Sequence, residues 1–142
     1  MIESAEEFVR LRLSAQPEEY GRAAEDEASE HVCFDVIARY PDMRKWVAHN
    51  KKIPMAVLKK LASDSDPMVR FTVAMKRKLS SELIEQLSKD TDESIRSQIA
   101  RHPRSPLAVV QKLASDAEPR VREIAERVLV SNKNAARDAS HP

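Results

Sequence analysis

The sequence predicts an all-α fold, and more specifically a right-handed α-solenoid of paired short helices behind an N-terminal helical cap. Three observations lead to this prediction. The 142-residue chain has a single glycine, 4% aromatic and 33% charged residues, which is typical of helices joined by short loops. One phrase recurs with a 26-residue period from residue 61 onward. Prolines fall on a 13-residue grid, whose spacing is half of that period.

Residues 1–40 form the predicted acidic cap. Residues 4–7, Ser-Ala-Glu-Glu, have the pattern of a capping box, in which the serine and the second glutamate satisfy free N–H groups at a helix start. Pro17 is expected to begin a second helix, because proline is favoured at the first helical position. A third predicted helix extends from Ser29 to Arg39.

The charge of the chain is unevenly distributed. Residues 1–35 carry ten acids and three bases, whereas residues 36–142 carry 13 acids and 21 bases. Such an asymmetry fits a cap that packs on the body and offsets its charge, and it also fits a basic body that binds an acidic partner. The net charge of +1 does not by itself indicate a dedicated nucleic-acid-binding protein.

The 26-residue repeat defines the predicted body, residues 41–130. A shorter, degenerate copy of the repeated phrase lies at residues 37–44. Such repeats cannot bury their apolar faces alone, so stacking forms the core and the ends require caps. Residues 131–142 have no apolar period and are expected to form a flexible tail. The three full copies of the phrase are LASDSDPMVR (61–70), LSKDTDESIR (87–96) and LASDAEPRVR (113–122).

Each position of the 13-residue grid predicts the start of a helix. Proline suits this position because its missing N–H would have no partner there. Ser80 and Glu93 occupy the two grid positions that lack proline. Three residues that precede grid positions are the predicted N-caps, namely Asp66, Asp92 and Ser105. The prolines on the grid are Pro41, Pro54, Pro67, Pro106 and Pro119.

Residues 47–74, VAHNKKIPMAVLKKLASDSDPMVRFTVA, resemble the leucine-rich repeat variant, a relative of HEAT repeats. The resemblance extends over residues 37–129 and implies an α-solenoid whose curved surface binds protein partners. The chain departs from the family in its longer 26-residue period and in Ser80, which replaces a helix-starting proline. Some family members carry a cysteine-rich cluster module, which a chain with only Cys33 does not support.

An acidic loop precedes every second predicted helix of the body, and the spacing of its carboxylates is compatible with a metal site. Closely spaced carboxylates such as Asp64 and Asp66 can bind a divalent cation when they converge with open coordination. The same acids can cap a helix or pair with arginines within or between repeats, and we favour this structural role because the loops recur once per repeat. We expect neither a metal nor a cofactor. The predicted structural ladder consists of Asp64, Arg70, Asp90, Arg96, Asp116 and Arg122.

The loops between the remaining helices are basic and contain no acid. Cations are favoured near helix C-termini, which explains some of these residues but not three in a row at 76–78. Stacked repeats would align the loops along one rim that could bind an acidic protein or a nucleic acid. We favour protein, because few aromatic residues are available for base stacking. The predicted basic rim consists of Lys51, Lys52, Lys76, Arg77, Lys78, Arg101 and Arg104.

Three large apolar residues occupy positions where the repeat copies differ. Phe71 and Met75 are four residues apart on one predicted helix, and Trp46 is expected near them in the preceding copy of the repeat. Exposed aromatic and methionine side chains can anchor a protein partner. Alternatively, Trp46 and Phe71 pack beneath the N-terminal cap, and the sequence does not decide between these two interpretations.

The sequence offers little support for catalysis. Its four histidines are scattered, no serine or cysteine lies in a nucleophile motif, and one glycine cannot build a phosphate-binding loop. Cys33 is expected to be a small buried apolar residue. No apolar run approaches the length of a membrane span and no secretory signal is evident, so a cytoplasmic location is expected.

These observations predict a non-enzymatic protein-binding module for an acidic protein partner, for example an adaptor or an immunity-type inhibitor. The basic rim would accelerate association, and Trp46, Phe71 and Met75 would supply apolar contacts. The alternative prediction is nucleic-acid binding through the same rim. The two differ in salt dependence, because binding to random duplex weakens steeply with salt.

Overall fold

The structure is a computed structural model that describes residues 1–140, and it is all-α, as the sequence predicts. The chain divides into two compact units, Met1–Val73 (unit 1) and Ala74–Pro142 (unit 2). A 3-10 turn at Pro41–Met43 precedes the fourth helix. The α-helices of the described range are α1 (Ala5–Leu13), α2 (Pro17–Glu25), α3 (Glu30–Arg39), α4 (Arg44–His49), α5 (Met55–Leu61), α6 (Pro67–Ala74), α7 (Ser81–Leu87), α8 (Glu93–Arg101), α9 (Leu107–Leu113) and α10 (Pro119–Ser140).

Unit 1 is built around helices α1 and α3. Helix α1 packs against α2 and α3, and α3 packs in turn against α4 and α5. The backbone N–H of Ile2 donates to the carbonyl of Glu27 at 2.7 Å, which ties the N-terminus to the α2–α3 connection. Burial of apolar side chains provides the main stabilisation. The largest fully buried side chains of this unit are Ile2, Leu11, Val36, Val47, Val57, Leu61 and Val69.

The cap helices begin where the sequence predicts. The Ser4 hydroxyl accepts the N–H of Glu7, and the Ser29 hydroxyl accepts the N–H of Val32, so both serines act as N-caps. The Glu7 carboxylate folds back on the N–H of Glu3 at 3.0 Å, one residue before the position of the standard capping box.

Unit 2 is built around helix α8. Helix α8 packs against α7, α9 and α10, and α9 also packs against α10. The buried residues recur with the sequence period, since Leu87 and Leu113 are equivalent in successive copies, as are Ile95 and Val121. The fully buried large side chains of this unit are Leu79, Ile84, Leu87, Ile95 and Ile99.

Helices begin on the 13-residue grid in two alternating ways. At one set of grid positions the residue is the first of its helix; these are Pro67, Glu93 and Pro119. At the other set the residue immediately precedes the helix as its N-cap; these are Pro54, Ser80 and Pro106. Ser80 accepts the N–H of Leu83 at 3.2 Å, so a serine cap serves where the other copies have proline.

Two local predictions differ from the structure. Ser105 is not an N-cap, because Pro106 takes that position and the Ser105 hydroxyl instead donates to the carbonyl of Ile99 at 2.5 Å. Residues 131–140, expected as part of a flexible tail, continue helix α10 with exposed side chains. Alanine, lysine and arginine, which favour helix, occupy five of these ten positions. The last two residues of the predicted tail lie outside the described range.

Candidate functional site

Two basic loops in unit 2, residues 75–80 and 101–106, lie beside each other. His102 joins them, because its Nε2 lies 2.7 Å from the carbonyl oxygen of Lys76. Its Nδ1 accepts the backbone N–H of Arg104 at 3.0 Å, so the ring is neutral and Nε2–H is the donor to Lys76. The imidazole is buried and uses both nitrogens, which gives His102 a structural role.

Four of the predicted rim cations are exposed on these two loops. Arg77 and Lys78 lie on the first loop, and Arg101 and Arg104 on the second. Among residues 1–140, none of these four side chains has a carboxylate within ion-pair distance. The loops therefore present four positive charges without an ion-pair partner in the described part of unit 2.

Lys76 differs from the other cations of these loops. Its side chain is half-buried, and burial lowers the pKa of its ammonium group to about 8. Desolvation disfavours the charged form, which explains the direction of the shift. Lys76 therefore contributes less to an external basic surface than the run Lys76-Arg77-Lys78 suggests.

The two rim cations of unit 1 have a different environment. Lys51 lies 2.9 Å from the Glu25 carboxylate, and its backbone N–H donates to the carbonyl of Ala24. Both of these side chains are mostly exposed, so the pair contributes little stability. Lys52 is exposed on the same loop. The acidic cap thus offsets part of the positive charge in unit 1.

Asn50 has the role in unit 1 that His102 has in unit 2. Its amide nitrogen donates to the carbonyls of Ala23 and Asp26 at 2.8 and 2.9 Å, and its amide oxygen accepts the N–H of Lys52 at 2.8 Å. Asn50 is 4% exposed and all of these hydrogen bonds are to backbone. Neither Asn50 nor His102 is among the site residues that the sequence predicts. Their spacing could have indicated this role, because positions 50, 76 and 102 are 26 residues apart and each has a polar residue.

The acidic loops repeat one pattern of backbone hydrogen bonds. The first aspartate of each loop accepts the N–H two residues later at 2.9 Å. An arginine six residues after that aspartate donates to the aspartate's own carbonyl at 2.7–2.8 Å. These contacts involve Asp64 with Arg70, Asp90 with Arg96, and Asp116 with Arg122.

The same aspartates also pair with arginines of preceding helices. Arg44 lies 2.9 Å from Asp64, and Arg96 binds both carboxylate oxygens of Asp116 at 2.9 and 3.1 Å. The hydrogen bonds from Arg96 hold the pKa of Asp116 below its ordinary value. Arg44 was absent from the predicted ladder because its copy of the repeat is degenerate.

The carboxylate oxygens of Asp64 and Asp116 are thus already engaged by N–H groups and guanidinium groups. Within the described part of the chain, no three His, Cys, Asp or Glu side chains are grouped to hold a metal ion.

The three predicted apolar anchors differ in their exposure and in their place on the helices. Trp46 is half-buried on α4, with the Arg12 guanidinium 3.4 Å above its ring centre. Phe71 is half-buried on α6, whereas Met75 follows the end of that helix and is 57% exposed. No aromatic ring contact joins Trp46 to Phe71 in residues 1–140. Trp46 thus packs in part against the cap, through α1.

Cys33 is buried on α3, and burial raises the pKa of its thiol to about 11. A thiol with this pKa is almost fully protonated at neutral pH and is therefore a poor nucleophile. Among residues 1–140, no helix has both the length and the apolar character needed to cross a membrane.

Comparisons with protein families, with curated proteins and with solved structures gave no match to this chain. The resemblance of residues 37–129 to the leucine-rich repeat variant therefore stays a prediction that is based on the sequence pattern alone.

Proposed function

We propose that the chain is a non-enzymatic binding module that takes up an acidic segment of a partner protein on the two basic loops of unit 2. One observation carries the proposal. Arg77, Lys78, Arg101 and Arg104 are exposed and unpaired within the described residues, on loops that His102 fixes next to each other. Elsewhere in unit 2, exposed cations such as Lys89 and Lys112 have Glu85 as a partner.

The loops are suited to recognition because they are fixed before binding. Both nitrogens of His102 hold backbone groups, so the two loops lose little freedom when a partner docks. Three of the four cations are arginines, whose planar guanidinium groups can bind carboxylates in a bidentate manner. Unpaired positive charge also accelerates encounter with an acidic partner and makes association sensitive to salt.

The wider architecture that we propose is the right-handed α-solenoid of the sequence analysis. The 26-residue recurrence of buried leucines and of aspartate–arginine loops supports it. Proteins built from stacked helical repeats offer extended surfaces to partners, which agrees with a role as an adaptor or an immunity-type inhibitor.

Nucleic acid is the second candidate ligand, because the same four cations could contact phosphates. Arginine and lysine bind phosphate oxygens without reading the base sequence. Neither basic loop contains Phe, Tyr or Trp for base stacking, and the His102 ring is buried, which favours the protein ligand.

The test compares two charge-reversal variants of equal charge. Arg77→Glu with Lys78→Glu alters the proposed surface, and Arg120→Glu with Lys133→Glu alters two exposed cations on helix α10. Lys76 is left unchanged because it is half-buried. We expect the first variant to weaken binding of a labelled polyglutamate peptide about tenfold or more, and the control less than about twofold. Equal loss in both variants would contradict a local site.

A random DNA duplex serves as the competing probe in the same anisotropy assay. Binding to duplex through four phosphate contacts would give a salt slope of about −3 to −4 on logarithmic axes. If the duplex binds more tightly than polyglutamate at physiological salt, the nucleic-acid candidate replaces the protein candidate.

A further inference from the structure

A second candidate site lies in unit 1, in a pocket between helices α1, α2 and α4. The pocket has a volume of about 300 Å³, which is the lower end of the range for ligand pockets. Arg12, Tyr20 and Trp46 are among the residues that line it, together with small residues of α2. Tyr20 is 42% exposed.

Arg12 is the one arginine of the cap without an acidic partner in the described range. Residues 1–35 contain three arginines and ten acids. Arg10 pairs with Glu19 at 2.6 Å, and Arg22 pairs with Asp26 at 2.8 Å. The guanidinium of Arg12 instead lies over Trp46, and its Nε atom is enclosed without a hydrogen-bond acceptor. The pocket therefore contains a cationic group that has no acidic partner in the described range.

Gly21, the only glycine of the chain, forms part of the pocket wall in the middle of α2. Glycine destabilises a helix interior relative to alanine. No residue of the described range has a positive φ, and a Cβ added at Gly21 would meet no atom within 4 Å. Neither backbone conformation nor crowding inside the protein therefore requires glycine here. Its missing side chain leaves open a space that borders Trp46 and Arg12.

We propose that this pocket binds an apolar side chain that stands next to a carboxylate on the acidic segment of the partner protein. The aromatic lining contacts the apolar side chain. The Arg12 guanidinium donates its N–H groups to the carboxylate, and the planar shapes of the two groups match. The stacking of Arg12 on Trp46 holds the guanidinium in place before binding. This inference rests on the proposed function for the class of partner, and it adds the apolar residue that the partner must carry.

Trp46 reports on the pocket directly, because it is the only tryptophan of the chain. The probe is a capped, dye-labelled peptide, Glu-Glu-Phe-Glu-Glu, that contains no tryptophan. Two matched peptides replace either the phenylalanine with alanine or all four glutamates with glutamine. We expect the first peptide to change Trp46 emission saturably and each matched peptide to bind about tenfold more weakly or worse.

Variants of the pocket complete the test. Gly21→Leu should fill the open space and weaken the peptide about tenfold or more, whereas Gly21→Ala should leave binding nearly unchanged. Both variants should melt at or above the wild-type temperature, because leucine and alanine favour helix more than glycine does. Arg12→Met keeps the apolar stem over Trp46 and should lose the preference for glutamate over glutamine.

The outcome separates this inference from the proposed function. If peptide anisotropy shows binding while Trp46 emission stays constant and Gly21→Leu binds normally, the pocket inference is wrong and the basic loops of unit 2 remain the site. Absence of any Trp46 response overturns the pocket, whichever way the polyglutamate test on the basic loops falls.

Discussion

Arg96 and Asp116 form a bidentate ion pair that joins helix α8 to the loop before α10, with nitrogen–oxygen distances of 2.9 and 3.1 Å. The side chains are only 15% and 10% exposed. Asp116 also accepts the N–H of Glu118 at 2.9 Å, so one carboxylate connects two elements of unit 2. The acidic loop that contains Asp116 resembles a metal-binding motif in the sequence, but its carboxylate has a structural role.

Asp116→Ala should lower the free energy of unfolding by about 2–4 kcal/mol, because it leaves a mostly buried guanidinium without its anion. Urea unfolding at neutral pH measures the loss. Glu85→Ala is the matched control, since Glu85 is 42% exposed and its ion-pair partners in the described range, Lys89 and Lys112, are exposed. The control should cost less than about 1 kcal/mol. An equal cost in both variants would contradict the role assigned to Asp116.

The same ion pair predicts acid sensitivity. The pKa of Asp116 is lower in the folded protein than its ordinary value of 3.8, because Arg96 binds the charged form. The stabilisation is therefore complete above the ordinary pKa and is lost as pH falls through the lower folded value. The difference in stability between wild type and Asp116→Asn should shrink over this acidic range. A difference that is independent of pH would show that charge is not the cause.

Asparagine should be able to replace His102, because Asn50 and His102 make the same kinds of hydrogen bond. Each side chain accepts the N–H two residues later and donates to a backbone carbonyl of an earlier segment. We expect His102→Asn to cost less than about 1.5 kcal/mol and His102→Leu to cost about 2–3 kcal/mol, since leucine leaves both backbone groups unsatisfied. Amide hydrogen exchange of Arg104 distinguishes the variants. Its protection should persist in His102→Asn and fall in His102→Leu.

Local signals explain which parts of the fold were predictable. Serine caps at Ser4, Ser29 and Ser80 and prolines on the grid mark helix starts through interactions within four residues, so the sequence predicts them well. The N-cap prediction for Ser105 was wrong, because the Ser105 hydroxyl donates to the Ile99 carbonyl six residues earlier, beyond the reach of the local capping signal.

The candidate sites were less predictable, because they depend on contacts between distant segments. Arg12 stacks on Trp46 from a different helix of unit 1, and no local sequence pattern predicts this contact. Likewise, the run Lys76-Arg77-Lys78 does not reveal that its first member is half-buried while the other two are exposed. The sequence therefore gives the type of each side chain, whereas its burial and its contacts follow only from the packing of the helices.

Deletion of residues 131–142 should leave the fold intact. Residues 131–140 are an exposed extension of helix α10, and their removal costs no described tertiary burial. We expect the free energy of unfolding to change by less than about 0.5 kcal/mol. Val121→Ala in the same helix is the contrast, because Val121 is fully buried and should cost about 1–3 kcal/mol. A melting temperature that drops by several degrees on deletion would show that the extension packs on the protein.

Lys76 should make stability depend on alkaline pH. Burial lowers its pKa to about 8 in the folded protein, whereas the ordinary value of 10.5 applies when the chain is unfolded. Between these values the unfolded chain binds more protons than the folded one, so stability rises with pH across this window. We expect Lys76→Met to remove this rise. The measurement is the urea midpoint of wild type and variant at several pH values from about 7 to 10. Lys78→Met, which alters an exposed neighbour, should keep the wild-type pH dependence, and a rise that persists in Lys76→Met would assign the effect to another group.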